Sequence, residues 1–474
     1  MYSIKQILES RREIFGNEDY IFEKVNGRFV GRTYGEFVDD VYGFASLLQK
    51  EGLVGKKIAI FAANSYAYMV ADAAIMGFVG ISVCISKEWS AESLIELAEQ
   101  IELDAMIYGD RQKEKVDALR LHFEKIKYIP IETVAGHAPT GELIDDLVDP
   151  SGCSKIIFSS GTTGIPKAVM LSQNNMFACW EDLCRRAPLD SSDVDYLFLP
   201  LHHAYAGICN FLYSMISGMK IYLCSSTASM LEELQEVKPT VFCAVPLIFE
   251  RICAACVEKN IEPLAVFGGN IRYMFCGGAW FDPKLREFFL TRGVDIMNSC
   301  GLSETSSLIS LDYPKATALA SVGRVMENMT LKIDKPNADG VGEIIVKGEN
   351  VFLGYYNNPE ANAKAFDIDG FFHTGDLGRL DGDILYHCGR IKKVIVLSNG
   401  ENVYPDEIVA LLLGYPELKS AKVYEKDGRI CATLFTNTRI DPQKIVDSVN
   451  SRLPKYSRIQ AFETLDDSIG TRMK

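Results

Sequence analysis

Hydrophobic and polar positions alternate along the chain in helical and strand-like stretches. Thr33-Tyr-Gly-Glu36 has the pattern of a capping box, and apolar residues follow at helical spacing from Phe37 to Leu48. The same reasoning predicts strands at 57–62, 81–85 and 105–108 and helices at 66–76 and 91–101. This alternation continues through about the first 390 residues and predicts an α/β fold of layered, largely parallel sheets.

The last 80 or so residues have a different pattern. A short helix is predicted at 405–413, with Pro405 at its start, and a second helix at 441–453. Between them, Asp427-Gly428 separates two strand-like runs and predicts a β-hairpin. We therefore expect a large N-terminal domain, residues 1–388, and a small α+β C-terminal domain, residues 389–474, that join near Gly389-Arg-Ile-Lys-Lys393.

Composition and charge exclude several classes of protein. The 474 residues are 48% hydrophobic and 24% charged, which excludes a largely disordered, collagenous or coiled-coil chain. The net charge of −14 argues against nucleic acid as a partner. The N-terminus has charges where a signal peptide needs apolar residues, and the longest apolar stretch, 68–85, contains Asp72, so we expect neither export nor a transmembrane segment. The thirteen cysteines are scattered singly along the chain, which suits a reducing compartment, so we predict a cytoplasmic location.

One polar loop between two strand-like runs has the chemistry of a phosphate site. In Ile156-Ile-Phe-Ser-Ser-Gly-Thr-Thr-Gly-Ile-Pro-Lys-Ala-Val-Met170, glycines let backbone N–H groups turn toward an anion. Four hydroxyl groups can donate to phosphate oxygens, and Lys167 adds a positive charge. The spacing is not that of a Walker motif. An ordinary surface turn is the alternative interpretation.

Further blocks follow in order along the chain, and together with the loop they carry a resemblance. These blocks are Met274-Phe-Cys-Gly-Gly-Ala-Trp280, Asn298-Ser-Cys-Gly-Leu-Ser-Glu-Thr305, Ser321-Val-Gly-Arg324, 348–359, 372–378 and 389–405. From about residue 33 to residue 474 the chain resembles the acyl-adenylate-forming (AMP-binding) superfamily, which includes acyl-CoA synthetases, nonribosomal-peptide adenylation domains and firefly luciferase. It looks most like bacterial acyl-CoA synthetases and acyl-carrier ligases.

The resemblance implies a fold and a two-step reaction. It implies a large N-terminal domain of layered α/β sheets with a small, mobile C-terminal domain. A carboxylic acid, expected to be a fatty or other hydrophobic acid, attacks the α-phosphate of ATP with the help of Mg²⁺ and gives acyl-AMP and pyrophosphate. A thiol, from CoA or from the phosphopantetheine of an acyl or peptidyl carrier protein, then takes the acyl group. The implied class is an AMP-forming acid–thiol ligase, with CoA or a carrier protein as partner.

The resemblance also assigns roles to individual residues. Lys474, Glu304 and Lys167 would be catalytic, with Glu304 as the Mg²⁺ ligand and Arg472 as the competing candidate for the role of Lys474. His203 would line the acyl pocket, and Lys392 would be the hinge between the two domains. The residues implied to bind ATP or AMP are Ser159, Ser160, Gly161, Thr162, Thr163, Gly164, Gly277, Gly278, Ala279, Cys300, Gly301, Ser303, Asp376 and Arg390.

Most of these residues also have an ordinary structural interpretation. Glu304 could be a carboxylate at a helix start, Asp376 part of an Asx turn, Arg390 a surface salt bridge and His203 a hydrogen-bonded core histidine. Lys392 and Lys474 could be an exposed lysine and a frayed chain end.

The sequence leaves two other functions open. Cys300 stands where the family has a tyrosine that stacks on adenine, and a thiol offers no aromatic face. A catalytically inactive nucleotide-binding homologue is therefore one alternative. The second alternative is an amino-acid adenylation enzyme that serves a carrier protein. However, the block around His203 lacks the acid that would pair with a substrate ammonium.

Overall fold

The computed structural model describes most of the chain. The described residues are 3–136, 148–159, 166–314, 318–391, 395–396, 402–426, 428–436, 438, 440–453 and 455–466. Several residues with roles implied by the resemblance lie outside this part of the chain: Ser160, Gly161, Thr162, Thr163, Gly164, Lys392, Arg472 and Lys474.

Helices and strands alternate as the sequence pattern predicts. The helices are α1 (Ile4–Phe15), α2 (Tyr34–Lys50), α3 (Tyr66–Ala74), α4 (Ala91–Gln100), α5 (Lys113–Arg120), α6 (Gln173–Phe177), α7 (Trp180–Arg186), α8 (Tyr213–Ser217), α9 (Met230–Val237), α10 (Pro246–Lys259), α11 (Pro263–Val266), α12 (Pro283–Leu290), α13 (Pro359–Ala365), α14 (Pro405–Leu413) and α15 (Pro442–Ser451). Two π-helical segments, Ile75–Val79 and Tyr205–Leu212, lie between them. Within the described residues, no helix is both long enough and apolar enough to cross a membrane.

The strands are short, and most are buried. They are β1 (Asp19–Val25), β2 (Arg28–Thr33), β3 (Lys57–Phe61), β4 (Ile81–Cys84), β5 (Ala105–Tyr108), β6 (Lys127–Pro130), β7 (Lys155–Ser159), β8 (Lys167–Leu171), β9 (Val194–Leu197), β10 (Lys220–Leu223), β11 (Val241–Ala244), β12 (Tyr273–Cys276), β13 (Ile296–Cys300), β14 (Ser310–Leu311), β15 (Arg324–Val325), β16 (Met329–Asp334), β17 (Gly342–Gly348), β18 (Gly354–Tyr355), β19 (Phe372–Asp381), β20 (Ile384–Arg390), β21 (Ile395–Val396), β22 (Asn402–Val403), β23 (Ser420–Lys426), β24 (Arg429–Thr436) and β25 (Ala461–Asp466).

The predicted local elements of the first hundred residues are confirmed to within about two residues at each end. Thr33 caps α2 as predicted, because its hydroxyl accepts from the Glu36 N–H while the Glu36 carboxylate accepts from the Thr33 N–H. The helix predicted at 66–76 is α3, and its last turns continue as the first π-helical segment.

The first sheet confirms the parallel arrangement. Its seven strands run in the order β18-β8-β7-β4-β3-β5-β6, and the pairs from β7 through β6 are all parallel. The pair β7–β8 is antiparallel, which places the phosphate loop at the turn of a hairpin. Helices connect the parallel strands, as such crossovers require.

The second sheet corrects the prediction that the sheets are largely parallel. Its order is β16-β17-β19-β20-β15-β14-β13-β12-β11-β9-β10-β1-β2. The strands from β13 through β10 to β1 pair in parallel, whereas those from β14 to β16 pair only in antiparallel fashion. Several of these strands are joined by short turns, and a short turn can connect antiparallel strands but not parallel ones.

The C-terminal unit has its own small sheet and apolar cluster. The strand order in this sheet is β23-β24-β25. The predicted hairpin is confirmed as the antiparallel pair β23–β24, with Gly428 at a φ of +75° in the turn. Helices α14 and α15 pack on it through buried residues such as Ile408, Leu412 and Val449. The boundary between residues 388 and 389 stays a prediction.

Candidate active site

The phosphate loop connects the ends of the hairpin β7–β8. Ser159, the last residue of β7, pairs directly with Lys167, the first residue of β8, so both side chains stand at the base of the loop. The Lys167 ammonium lies 4.4 Å from the centroid of the Tyr355 ring, on the neighbouring strand β18. This cation–π contact holds the positive charge at one place beside the loop.

Glu304 lies in a three-residue 3₁₀ turn, Ser303–Thr305, shortly after β13 ends. Its side chain is buried, and the Tyr355 hydroxyl donates a hydrogen bond of 3.0 Å to Glu304 Oε1. Burial raises the pKa of Glu304, and this effect is opposed by the Tyr355 bond and by the charges of Lys167 and Arg390. The carboxylate therefore faces two cations and a tyrosine instead of capping a long helix.

The chemistry of this turn fits a magnesium ion that also binds the nucleotide. Glu304 offers carboxylate oxygen, which Mg²⁺ prefers. Of the two flanking hydroxyl groups, that of Thr305 is engaged with the Leu302 backbone, whereas Ser303 remains half-buried beside Glu304. Within the described residues, Glu304 does not belong to a group of three potential metal ligands. A bound Mg²⁺ would therefore take most of its oxygens from phosphates and water, as it commonly does.

Cys300, Asp376 and Arg390 lie within electrostatic reach of one another. Asp376 and Arg390 are register partners on β19 and β20, and Arg390 Nε lies 2.8 Å from Asp376 Oδ1. Asp376 is buried, and its Oδ1 makes no well-aligned hydrogen bond, so it can still accept one. Burial raises the pKa of the Cys300 thiol to about 12, with Asp376 raising it and Arg390 lowering it. The thiol is therefore protonated and is a poor nucleophile.

For Asp376 and Arg390, the structure agrees in part with the ribose-binding interpretation and in part with the ordinary structural one. Asp376 lies within a strand and not in an Asx turn. Arg390 does form an ion pair, but its partner is the buried Asp376 rather than an exposed acid. A carboxylate and a guanidinium held side by side are suited to the hydroxyl groups of a ribose, which both accept and donate.

Two glycine-containing turns follow the neighbouring strands β12 and β13. The turn Gly277-Gly278-Ala279 follows β12, and Gly278 has a φ of +82°, which favours glycine. A Cβ on Gly277 would lie 2.6 Å from Ser299 Oγ, and one on Gly301 would overlap the Ser307 carbonyl group. Because β12 and β13 are parallel neighbours, these turns end up side by side.

An apolar cavity lies behind the Gly277 turn. It is about 20 Å³ in volume for a water-sized sphere, which is room for about one water molecule. Its lining includes Leu183, Tyr205, Cys209, Met219, Phe275 and Leu308. His203 is exposed and precedes this lining by two residues, so its assignment to the acyl pocket stays a prediction.

The resemblance did not single out Tyr355 or Tyr205. Tyr355 connects Glu304 to Lys167, yet the sequence has two adjacent tyrosines, Tyr355 and Tyr356. Because side chains alternate along a strand, only one of the two can face the site. The hydroxyl of Tyr356 instead contacts Lys57 Nζ at 3.0 Å, away from Glu304. Which tyrosine faces the site depends on the pairing of β18 with β8, which the sequence pattern does not give.

Comparison with known proteins places this geometry in a family. The family model described as "AMP-binding enzyme" matches residues 18–356. The chain belongs to the AMP-binding enzyme family. A solved relative in this fold is the O-succinylbenzoate coenzyme A synthetase MenE of Bacillus subtilis in complex with ATP and magnesium ion, with a TM-score of 0.83 and 25% identity over 97% of this chain and 95% of that one.

Curated relatives of this AMP-binding enzyme are acyl-CoA ligases. The long-chain-fatty-acid–CoA ligase ACSBG2 of Gallus gallus is 25% identical over 92% of this chain and 67% of its own length. ACSBG1 of Mus musculus, also a long-chain-fatty-acid–CoA ligase, is 28% identical over 64% of this chain and 50% of its own length. The predicted enzyme class is confirmed: an AMP-forming acid–thiol ligase that activates a carboxylic acid with ATP.

Proposed function

We propose that this AMP-binding enzyme converts a fatty or other hydrophobic acid to its CoA thioester through an acyl-adenylate. One observation supports this most: the Tyr355 ring lies 4.4 Å from the Lys167 ammonium while its hydroxyl donates to Glu304, so a cation for phosphate and a carboxylate for Mg²⁺ lie together beside the loop. A fatty or other hydrophobic acid is the proposed substrate because the curated relatives are named long-chain-fatty-acid–CoA ligases. CoA is the proposed acceptor because the curated relatives are named CoA ligases.

The roles proposed for individual residues follow from their positions. Lys167 and the backbone of the loop after Ser159 hold the β- and γ-phosphates, and Asp376 with Arg390 holds the ribose. Glu304 holds Mg²⁺, which when bound neutralises charge on the phosphates. The Gly277–Ala279 turn and Cys300 lie against the adenine. Catalysis here is positioning and charge neutralisation, with no protein nucleophile.

The two residues proposed to supply the cation for the first step lie outside the described part of the chain. Lys474 remains the proposed catalytic cation, with Arg472 as its competitor, and Lys392 remains the proposed hinge. A carrier-protein thiol stays the alternative acceptor. We also propose a cytoplasmic location, which the thirteen cysteines scattered along the sequence support.

A panel of acids tests this proposal. Pyrophosphate release is measured with saturated acids of increasing length, aromatic acids and amino acids, each with and without CoA. We expect release with apolar acids and a stoichiometric thioester when CoA is present. Activity restricted to amino acids, or release without any thioester on CoA, would contradict the proposed acid or the proposed acceptor respectively.

A further inference from the structure

Trp280 is a large aromatic side chain that is exposed beside the proposed nucleotide site. It directly follows the turn Gly277-Gly278-Ala279, and 44% of it is accessible to solvent. The chain's other two tryptophans, Trp89 and Trp180, each pack on an aromatic ring. Among the described residues, the Trp280 ring has no such partner. An exposed indole of this kind can present a flat apolar face to a ligand.

The backbone on both sides of Trp280 is held in place. A Cβ on Gly278 would lie 3.6 Å from Val245, so the turn packs closely on the start of α10. Phe281 is buried, and its ring centroid lies 5.6 Å from that of Phe249. Trp280 is therefore an exposed side chain on a fixed segment.

This segment lies at the same sheet edge as Cys300. Cys276 and Asn298 are register partners on the parallel strands β12 and β13, and Ser299 Oγ donates a hydrogen bond of 2.9 Å to the Cys276 carbonyl. Neighbouring strands lie about 4.8 Å apart. Trp280 comes four residues after Cys276, a stretch that spans at most about 14 Å. One ligand at this edge can therefore contact both Trp280 and Cys300.

Cys300 offers no aromatic face to a base bound at this edge. Its thiol lies within electrostatic reach of Asp376 and Arg390, which are proposed to hold the ribose. Tyr205 also approaches the turn, since a Cβ on Gly277 would lie 3.6 Å from its ring. However, the Tyr205 ring lines the cavity behind the turn, which has room for about one water molecule and not for a base.

We propose that Trp280 supplies the aromatic face on which the adenine of ATP and of acyl-AMP stacks, a ring that Cys300 does not provide. This inference rests on the proposed function, because it takes the adenine to lie against the Gly277–Ala279 turn and Cys300. A bound base would in return cover the exposed indole. Truncation of an aromatic side chain that stacks on a base typically weakens binding by about tenfold.

Two variants of Trp280 provide the test. Trp280→Ala removes the ring, and Trp280→Phe keeps an aromatic face. We expect calorimetric titration to show Kd values for AMP and for ATP with Mg²⁺ about tenfold higher in Trp280→Ala and within about threefold of the parent in Trp280→Phe. Leu121→Ala is the matched control, because it truncates another exposed apolar side chain, 84% accessible, and should leave both Kd values unchanged.

Inorganic tripolyphosphate separates loss of stacking from distortion of the site. It has the phosphate groups of ATP and no base, so as a competitor of ATP it should bind the parent and both Trp280 variants alike. If it is weakened in Trp280→Ala as much as ATP is, the site is distorted and the inference is overturned.

Fluorescence and a rescue variant give two further readouts. A stacked base quenches an indole, so saturating AMP should lower the tryptophan emission of the parent and leave that of Trp280→Phe unchanged. Cys300→Tyr, added to Trp280→Ala, brings a ring from the neighbouring strand and should recover most of the lost affinity for AMP. An equal AMP-dependent quench in the parent and in Trp280→Phe would overturn the inference.

The remaining outcomes separate this inference from the proposed function. CoA also carries adenine, so its KM is measured with saturating preformed acyl-AMP. A loss in Trp280→Ala that falls on CoA and not on AMP or ATP would overturn the inference. If the parent binds no ATP, the proposed function fails, and the inference fails with it. If the parent forms thioesters and the folded Trp280→Ala variant binds AMP and ATP as the parent does, the proposed function stands and the inference is overturned.

Discussion

At the residue scale, Lys167 and Glu304 share Tyr355 as a neighbour. The Tyr355 ring lies against the Lys167 ammonium, and its hydroxyl donates a hydrogen bond to the Glu304 carboxylate. The positive charge proposed for the phosphates and the negative charge proposed for the metal are thereby held at a fixed separation. Each of the two charges can be removed singly, and each removal should affect a different part of the reaction.

Lys167→Ala should weaken ATP use and leave thioester formation largely intact. The variant loses a charge-assisted hydrogen bond to phosphate, which contributes on the order of 1.5–3 kcal/mol, or about 10–100-fold in kcat/KM for ATP. Preformed acyl-AMP has lost the β- and γ-phosphates, so its reaction with CoA should change much less. Rapid-quench assays of the two half-reactions measure this. Equal losses in both would exclude the phosphate role.

Glu304→Gln should change the response to magnesium. Glutamine keeps the shape of the side chain and removes the charge that attracts Mg²⁺. We expect the largest loss of adenylation at limiting Mg²⁺ and partial recovery as Mg²⁺ rises. Calorimetric titration of ATP with and without Mg²⁺ gives a second readout, in which Mg²⁺ should strengthen ATP binding less than in the parent. An unchanged Mg²⁺ dependence would point to a purely structural carboxylate.

Single site residues could be predicted where their chemistry agreed with the order of the sequence blocks. They could not be predicted where strand packing decides which side chain faces the site. Lys167, Glu304, Asp376 and Arg390 could be proposed from the sequence, and the structure brings them within electrostatic reach of one another. Tyr355 could not, because its role depends on which face of β18 meets β8.

At the scale of elements, three short strands from distant parts of the sequence build one corner of the site. The hairpin β7–β8 carries the phosphate loop, and β18 adds to the β8 edge, with Tyr355 opposite Val169. The Asn362 side chain fixes Tyr355 by pairing with both its backbone N–H and its carbonyl. This strand addition aims the Tyr355 hydroxyl at Glu304.

Tyr355→Phe tests this coupling between elements. Phenylalanine keeps the ring near Lys167 and removes the donor to Glu304, so the Mg²⁺ concentration for half-maximal adenylation should change by about tenfold, while ATP binding without metal stays near the parent value. Tyr356→Phe is the matched control, because it removes a neighbouring hydroxyl that contacts Lys57 instead. If the two variants respond alike to Mg²⁺, Tyr355 does not position Glu304.

Element prediction succeeded where periodicity is local and failed where pairing is long-range. The Thr33 capping box and the hairpin around Gly428 depend on a few adjacent residues, and both are present. The antiparallel half of the second sheet depends on which distant strands meet, such as β15 beside β20. Short apolar runs look the same in parallel and antiparallel sheets.

At the scale of the whole molecule, the predicted boundary between the two domains, at residues 388 and 389, lies within β20 and next to the site. Arg390 ends β20 in its ion pair with Asp376, and the proposed hinge follows two residues later. The pairing of Arg390 would therefore keep the nucleotide side fixed while the C-terminal unit turns. Such a rotation can be absorbed by very few residues.

Lys392→Pro should separate the two half-reactions. Proline fixes φ, so the chain would be held in one pose. We expect acyl-AMP formation to survive and thioester formation to fall at least tenfold, as measured by single-turnover assays. Lys392→Ala removes the same ammonium without fixing φ and should retain both steps. If both steps proceed normally in the proline variant, the hinge lies elsewhere.

The acyl-adenylate route is tested most directly by following an oxygen-isotope label from the carboxylate of the acid into the products. An apolar acid with both carboxylate oxygens labelled with the heavy isotope is incubated with ATP, Mg²⁺, CoA and the enzyme. The masses of the products are then measured by mass spectrometry. Because the carboxylate attacks the α-phosphorus and the thiol later displaces AMP, we predict one heavy oxygen in AMP, one in the thioester and none in pyrophosphate. Label in inorganic phosphate together with ADP, or unlabelled AMP, would contradict the acyl-adenylate route.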